Sequence, residues 1–363
     1  MPAKSRVVDL DARGAHGAAP TGEWANFGEY AMAVRATRWG RPDSRLTRSA
    51  GLSSTIGSDG GFAIPEQFIA DLQMRVYGQS IAGYCSVVPM TSNSASMPAI
   101  DETDRRDGSR WGGVLGYWLD EGVAPTATKP KFASIGLNTK KIEVLAHTTD
   151  EMMQDVPTLG ASLKRILTAE TAFQLDRAII AGTAGQVQGI LNSNAKIKVA
   201  KEVSQSAATI TAENLITMYS RMWGASRKSA VWLVSEDVDA YLVRTYVPAK
   251  NLAATDVVSG APLYVPAVGG EDYARLLGRP VIITEACNLL GQEGDVIFAS
   301  LDQFQIGDRG LRFNSSIHVN FGTDQTVFRL ISRCDGAPLW KAPVTPRNGG
   351  PTLSPFITLA DRS

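Results

Sequence analysis

The sequence predicts an α+β chain built in several parts. Three observations carry that reading: a period-2 strand pattern over 132–145, a long helical pattern over 158–181, and helices alternating with short apolar strands over 205–306. The 363 residues are long enough for about two domains. A composition of 44% apolar and 20% charged residues is that of an ordinary globular chain, so disorder along its whole length is excluded. Lys plus Arg and Asp plus Glu both number 36, and the formal net charge is zero. A generally basic surface that coats nucleic acid by displacing counterions is therefore excluded, and any such contact must be local.

Residues 1–60 are rich in Gly, Ala, Arg and Ser and hold one short helical pattern at 24–37, which reads as an extended arm carrying a small helix. Arg35, Arg38, Arg41, Arg45 and Arg48 stand there against a single acid, Asp43. That local positive patch suits an acidic partner or nucleic acid; the plainer alternative is a solvated tail. Gly60-Gly61-Phe62-Ala63-Ile64-Pro65 then marks the start of ordered structure.

A strand is expected over 81–89, followed by turn-rich polar sequence at 91–96 and 101–109. The stretch 132–145 then alternates through Ile135, Leu137, Thr139, Lys141, Glu143 and Leu145. Together these predict a long two-stranded excursion. Because an isolated two-stranded ribbon is marginal in water, it must lie on a neighbour.

The helix over 158–181 is predicted to present Leu159, Leu163, Ile166, Leu167 and Phe173 on one face and to stop at Gly182. Helices at 211–224 and 236–246 and strands at 230–235, 280–284 and 296–300 read as helices packed on a sheet, with a Pro/Gly-rich loop between them. Strand-like runs follow at 305–306, 311–321 and 325–333, and 339–344 closes the fold. The last 18 residues, 346–363, read as a tail.

The search for chemistry is negative. Cys85, Cys287 and Cys334 lie far apart with no CxxC, which suggests neither a disulfide framework nor a zinc site and points to a reducing compartment. His16, His147 and His318 are the only histidines, and no GxSxG, HExxH, GxGxxG after a strand, or GxxxxGK[ST] occurs. His147, at the end of an alternating strand, reads as structural. The mixed-charge run of Asp101, Glu102, Asp104, Arg105, Arg106 and Asp107 lacks the glycine and final glutamate of a calcium loop and reads as a solvated loop. No catalytic, cofactor-binding or metal-ligating residue is assigned. No apolar run approaches the ~20 residues that span a bilayer, and the first 20 residues lack the apolar region of a secretory signal, so a cytosolic product with no membrane contact is expected.

Several motifs in order carry a resemblance to a known family. They are Phe27-Gly28-Glu29-Tyr30 in the arm, the Gly60 to Pro65 opening, Trp118-Leu119-Asp120-Glu121-Gly122, and the alternating strand 132–145. Thr149-Asp150-Glu151-Met152-Met153-Gln154-Asp155 before the long helix, the turn 182–191, Leu277-Gly278-Arg279-Pro280-Val281 and Gln305-Ile306-Gly307-Asp308-Arg309 complete the set. From about residue 24 to 345 the chain resembles a major capsid protein of tailed bacteriophages with the Hong Kong 97-type fold.

The resemblance implies an N-terminal arm at 1–60, an E-loop at 92–137, a P-domain at 61–91, 138–204 and 307–345 with the long helix as its spine, and an A-domain at 205–306, leaving 346–363 as the C-terminal tail. It implies a structural function: hexamers and pentamers of this chain close into an icosahedral shell around double-stranded DNA, without sequence-specific binding. Implied partners are the chain itself, a portal protein, a scaffold that is separate or absent because the arm is too short to include one, and room for a decoration protein. The implied location is the virion, after assembly in the host cytoplasm.

On that reading the subunit contacts are expected at Trp111, Trp118 and Phe132, with Glu121, Lys129 and Lys131 beside them; the alternative is that the three aromatics pack on their own subunit's core. The arginines 35–48 are the candidates for inward contact with DNA. Some family members join subunits through an isopeptide bond between an E-loop Lys and a P-domain Asn, assisted by a Glu. Lys129 and Lys131 suit the Lys, but no Glu follows Glu293, and Gln325 and Ser332 stand where the Asn and Glu are sought. Without a buried carboxylate to take its proton the lysine stays charged, so no self-crosslinking is expected. Two other readings compete. Encapsulins share the fold, although the long arm and the Trp118 to Gly122 motif favour phage. A soluble α/β enzyme with 247–272 as a lid lacks a catalytic constellation.

Overall fold

A computed structural model describes residues 27–38, 43, 45–46, 61–63, 66–149, 159–183, 187–250, 257–267, 273–320 and 324–362. The chain divides into two compact units, one formed from the described residues of 1–69, 145–166 and 313–329, the other from those of 70–144, 167–312 and 330–362.

In the first unit the helix Phe27–Arg38 buries Tyr30, Ala31 and Val34, as its apolar residues recur three and four apart. The short strand Gly61–Ala63 pairs antiparallel with 314–316, so the segment that follows the Gly60-Gly61 pair enters a sheet, while the helix Phe27–Arg38 shows that regular structure also lies upstream of it.

The second unit holds most of the core. A seven-stranded sheet runs in the order Tyr264–Val265, Arg275–Leu276, Arg279–Ile283, Val231–Val234, Val296–Ala299, Phe356–Leu359, Ile197–Val199. Val231–Val234 and Val296–Ala299 are buried at every position, which is why they read in sequence as continuous apolar runs without alternation. Trp232 stacks on Phe298 with ring centroids 4.1 Å apart, and its indole N–H donates to the Leu276 carbonyl at 3.0 Å. The helices Ala212–Arg221 and Glu236–Arg244 bury Leu215, Met218, Val238 and Leu242 in the same core. Thr211 and Asn214 form a reciprocal capping box that starts the first of these helices. Leu277 and Gly278 both take positive φ between Arg275–Leu276 and Arg279–Ile283, a two-residue turn whose twist matches the strands it joins.

A five-stranded sheet has the order Gly61–Ala63, Phe304–Asn320, Gln325–Pro338, Lys140–Thr149, with Ser86–Pro89 also paired, in parallel, to 305–308.

Five expectations are corrected. The segment 346–363 is not a tail: Phe356–Leu359 is a fully buried strand between Val296–Ala299 and Ile197–Val199, and Arg362 is buried against Asp295. Phe356, Ile357 and Leu359 are all apolar and fully buried, and the Thr358 between them is buried too, as a strand covered on both faces requires. The pattern over 132–145 is not one strand but two, Phe132–Asn138 and Lys140–Thr149, in different sheets. The start of 81–89 is a 3-10 turn, Ile81–Tyr84, capped by Ser80, before Ser86–Pro89 extends. In the long helix Leu159–Ala181 the buried stripe runs through Leu163, Leu167, Thr171, Leu175 and Ile179, whereas Ile166 is exposed and Phe173 only half-buried. At about 100° per residue Ile166 and Phe173 fall on the side away from that stripe. Finally, the Pro/Gly-rich stretch 247–272 is not simply a loop, because Tyr246–Lys250 and Val257–Pro262 pair as an antiparallel ribbon. The helix Glu66–Gln79 was not anticipated.

Candidate subunit interface

The expected hairpin forms. Ser94–Ile100 and Phe132–Asn138 pair antiparallel from Ser94↔Asn138 to Ile100↔Phe132. One face turns Ala99, Ile135 and Leu137 into a small core with Met90 and Ala337. The opposite face is polar and wet, with the Ser96 and Ser134 hydroxyls 2.6 Å apart. Just past the loop end of the paired strands the chain is tied down where Arg105 N–H donates to the Thr345 carbonyl and Thr345 N–H to the Thr103 carbonyl.

Beyond the paired strands the chain turns a tight corner. Trp111, Gly112 and Gly113 all have positive φ, and Lys131 N–H donates to the Gly112 carbonyl at 2.8 Å. A Cβ on Gly112 would sit 2.5 Å from the Lys131 carbonyl oxygen, so only glycine allows the approach. Trp111, the residue this corner costs most in backbone strain, is 58% exposed. The tip 115–130 has no regular secondary structure, only a turn closed by Val123 N–H on the Asp120 carbonyl.

The sequence-predicted interface residues therefore lie as follows. Trp118, at the tip, has a side chain wholly in solvent, and Phe132 is 66% exposed, so none of the three aromatics packs into its own subunit's core. Glu121, Lys129 and Lys131 are exposed. The corner brings Trp111 beside the backbone of Lys131, while Trp118 and Glu121 share the tip with Tyr117, Leu119 and Val123, all more than 40% exposed. Together they form a cluster of adjacent exposed apolar side chains.

Of the arm arginines, Arg45 is already engaged: its guanidinium binds Glu29 at 2.8 Å and Asp43 at 2.9 Å. Its fork holds Asp43 below the usual carboxylate range. Arg35 and Arg38 lie in the arm helix with side chains outside the described residues, and Arg41 and Arg48 fall outside them altogether. Of the residues considered for crosslinking, Gln325 is half-buried, Ser332 is buried, and Glu293 is committed to Lys196 and Lys198 at 2.6 Å each.

One feature had no sequence signal. Beside the loop end of the paired strands lies a cavity of about 220 Å³ whose walls include Trp111, Trp223 and Trp340. Trp223 and Trp340 pack at 5.0 Å, Trp340 N–H donates to Gln303 at 3.1 Å, and the Arg105 guanidinium lies 5.8 Å over Trp223 while bound to Glu102. The three tryptophans are each more than a hundred positions apart in the chain, and no local pattern joins them. Among the described residues no cluster of His, Cys, Asp and Glu could hold a metal ion, and no helix is long and apolar enough to cross a membrane.

The model of the phage capsid family matches residues 60–348. The chain belongs to the phage capsid family. It is a major capsid protein, a structural component of a virion head shell and not an enzyme. Solved structures share the α+β Hong Kong 97-type fold. The capsid chain of an empty GTA particle is 16% identical with a TM-score of 0.57, covering 78% of this chain and 90% of that one. The capsid of the native GTA particle is 14% identical at 0.54 with the same coverage. A chain of Microbacterium phage Oxtober96 is 13% identical at 0.50, covering 78% and 91%. Among curated proteins no match was found.

Proposed function

We propose that this capsid protein assembles as hexamers and pentamers that close an icosahedral head around the double-stranded DNA of a tailed phage. The observation that carries the reading is the hairpin with its tip: it exposes Trp118, Tyr117, Leu119 and Val123 at one end and Phe132 on its outer face, surface that water disfavours and a neighbouring copy would cover. In this reading 92–137 is the E-loop, and the strands and long helix of 61–91, 138–204 and 307–345 form the P-domain. The α/β part 205–306, now with the buried strand Phe356–Leu359 added to it, is the A-domain. The zero net charge suits a wall that encloses DNA without gripping it. Arg35, Arg38, Arg41 and Arg48 remain the inward candidates, while Arg45 serves to hold the arm helix through Glu29 and Asp43. Portal, separate scaffold and decoration proteins complete the expected partners.

Lys129 and Lys131 remain ordinary exposed lysines, and subunits stay unlinked covalently. The test of the assembly is sedimentation of the purified chain with negative-stain imaging, alone and with a co-expressed scaffold. Rings or shells support it; a strict monomer in both conditions contradicts it.

A further inference from the structure

We infer that the turn 346–349 is a self-modifying site, at which Asn348 deamidates to an acid through the backbone nitrogen of Gly349 without any enzyme. The inference concerns the free chain and does not depend on the reading of the hairpin as an intersubunit element.

Asn348 is the only asparagine in the sequence that is followed by glycine. In the reaction the Gly349 nitrogen, once it has lost its proton, attacks the side-chain carbonyl carbon of Asn348. A new C–N bond forms, the side-chain amide takes up a proton and leaves as ammonia, and a five-membered succinimide closes. Water then opens the ring at either carbonyl, giving aspartate or its isomer isoaspartate. Water is the sole co-reactant, and nothing is oxidised or reduced.

The structure leaves this site open. Asn348 is exposed, and among the described residues nothing bonds its side-chain amide. A Cβ added to Gly349 or to Gly350 would meet no atom within 4 Å, so neither the approaching amide nor the attacking water is screened. Both glycines have positive φ, 75° and 99°, and a glycine changes its backbone angles at little steric cost, so the nitrogen can be brought to the carbonyl. One hydrogen bond stands in the way, from Gly349 N–H to the Pro346 carbonyl at 3.0 Å, and water replaces such an exposed bond readily.

Related positions are closed. Asn192 donates its side-chain amide to the carbonyls of Ala181 and Gly182, and Asn288 donates to that of Glu293. Asp107, before Gly108, is held below the usual carboxylate range by the Ser109 hydroxyl and N–H, and an ionised carboxylate is a poor electrophile. Asp335, before Gly336, is buried. Loss of ammonia is irreversible in dilute solution, so at Asn348 the acid accumulates with the age of the chain. It sets a negative charge beside Arg347, and the isoaspartate form adds a methylene to the backbone of the loop closed by the pairing of Val344 with Leu353.

The test stores the purified full chain for several weeks in mildly alkaline and in mildly acidic buffer, with a denatured sample beside each. Trypsin cuts after Arg347 and Arg362, and the peptide 348–362 holds no other Asn and no Gln, so a change of its mass from amide to acid assigns the site. The expected result is that change in the folded chain, faster in the alkaline buffer because the Gly349 nitrogen must lose its proton. Isoaspartyl methyltransferase should label the aged folded chain, and isoelectric focusing should show the gain of a single negative charge. Asn348→Gln should lose both signals, since the larger ring it would need closes far more slowly. A folded chain that keeps the amide while the denatured sample converts overturns the inference, because the turn then blocks the attack. A charge gain that persists unchanged in Asn348→Gln places the modification elsewhere and overturns it too.

Discussion

Two buried acids define the chemistry of the single residue in this chain. Asp295 is fully buried with Arg362, which also donates to the carbonyls of Thr209 and Ala360 at 2.9 and 3.0 Å. Burial raises the Asp295 carboxyl, and the guanidinium together with the N–H groups of Gly291 and Val296 pulls it back. Removing one partner leaves the other charged and dry, so Arg362→Ala should cost about 3–5 kcal/mol, read as a lowered denaturation midpoint of the unassembled chain. Asp176 accepts from the Ser80 hydroxyl and from Ile81 N–H at 3.0 Å, yet burial raises it from 3.8 to about 6. The folded state therefore keeps its proton to higher pH than the unfolded state does. Its contribution to stability is complete below about pH 4 and falls as pH rises through 6, by on the order of 3 kcal/mol. Asp176→Asn should flatten the dependence of melting temperature on pH between 4 and 6; an unchanged slope would place the titration elsewhere.

Elements were legible in sequence where their period was long and their surroundings local. The helix Leu159–Ala181 and the hairpin strand Phe132–Asn138 were readable because 23 helical residues or several alternations leave little ambiguity, whereas its partner Ser94–Ile100 begins in sequence that reads as turn-rich. Which face of that helix is buried was less clear, since Ile166 and Leu167 are adjacent, apolar and on opposite fates. Leu167→Ala should lose about 2–5 kcal/mol of stability, whereas Ile166→Ala in the unassembled chain should stay within about 0.5 kcal/mol, both by chemical denaturation. Phe356–Leu359 was missed because a four-residue strand owes its existence to the two strands beside it: 296–299 is legible as a strand, but nothing local shows that 356–359 lies between it and 197–199. The same holds for the cavity: Trp111 is visible as an aromatic on a hairpin, but its meeting with Trp223 and Trp340 is made only by the tertiary fold. The exposed tip was predictable because a Trp in the polar, turn-rich sequence of an excursion has no local core to enter.

At the scale of the whole molecule, the chain joins a well-buried α/β core to a projection that has none of its own. The core makes the subunit stable, and the projection makes it incomplete until copies meet. On the proposed reading, assembly is held by apolar contact and shape and not by covalent bonds. Mature particles boiled in denaturant should accordingly run as a single band at the mass of one subunit, with no ladder above it. A ladder would show that Lys129 or Lys131 finds an acceptor after all. The most direct measurement of the central claim is electron microscopy of the purified protein after assembly with its scaffold. Closed shells in which the 92–137 hairpin of each copy lies on its neighbour are the predicted result; a chain that stays monomeric, or shells in which that hairpin faces solvent along its whole length, would contradict it.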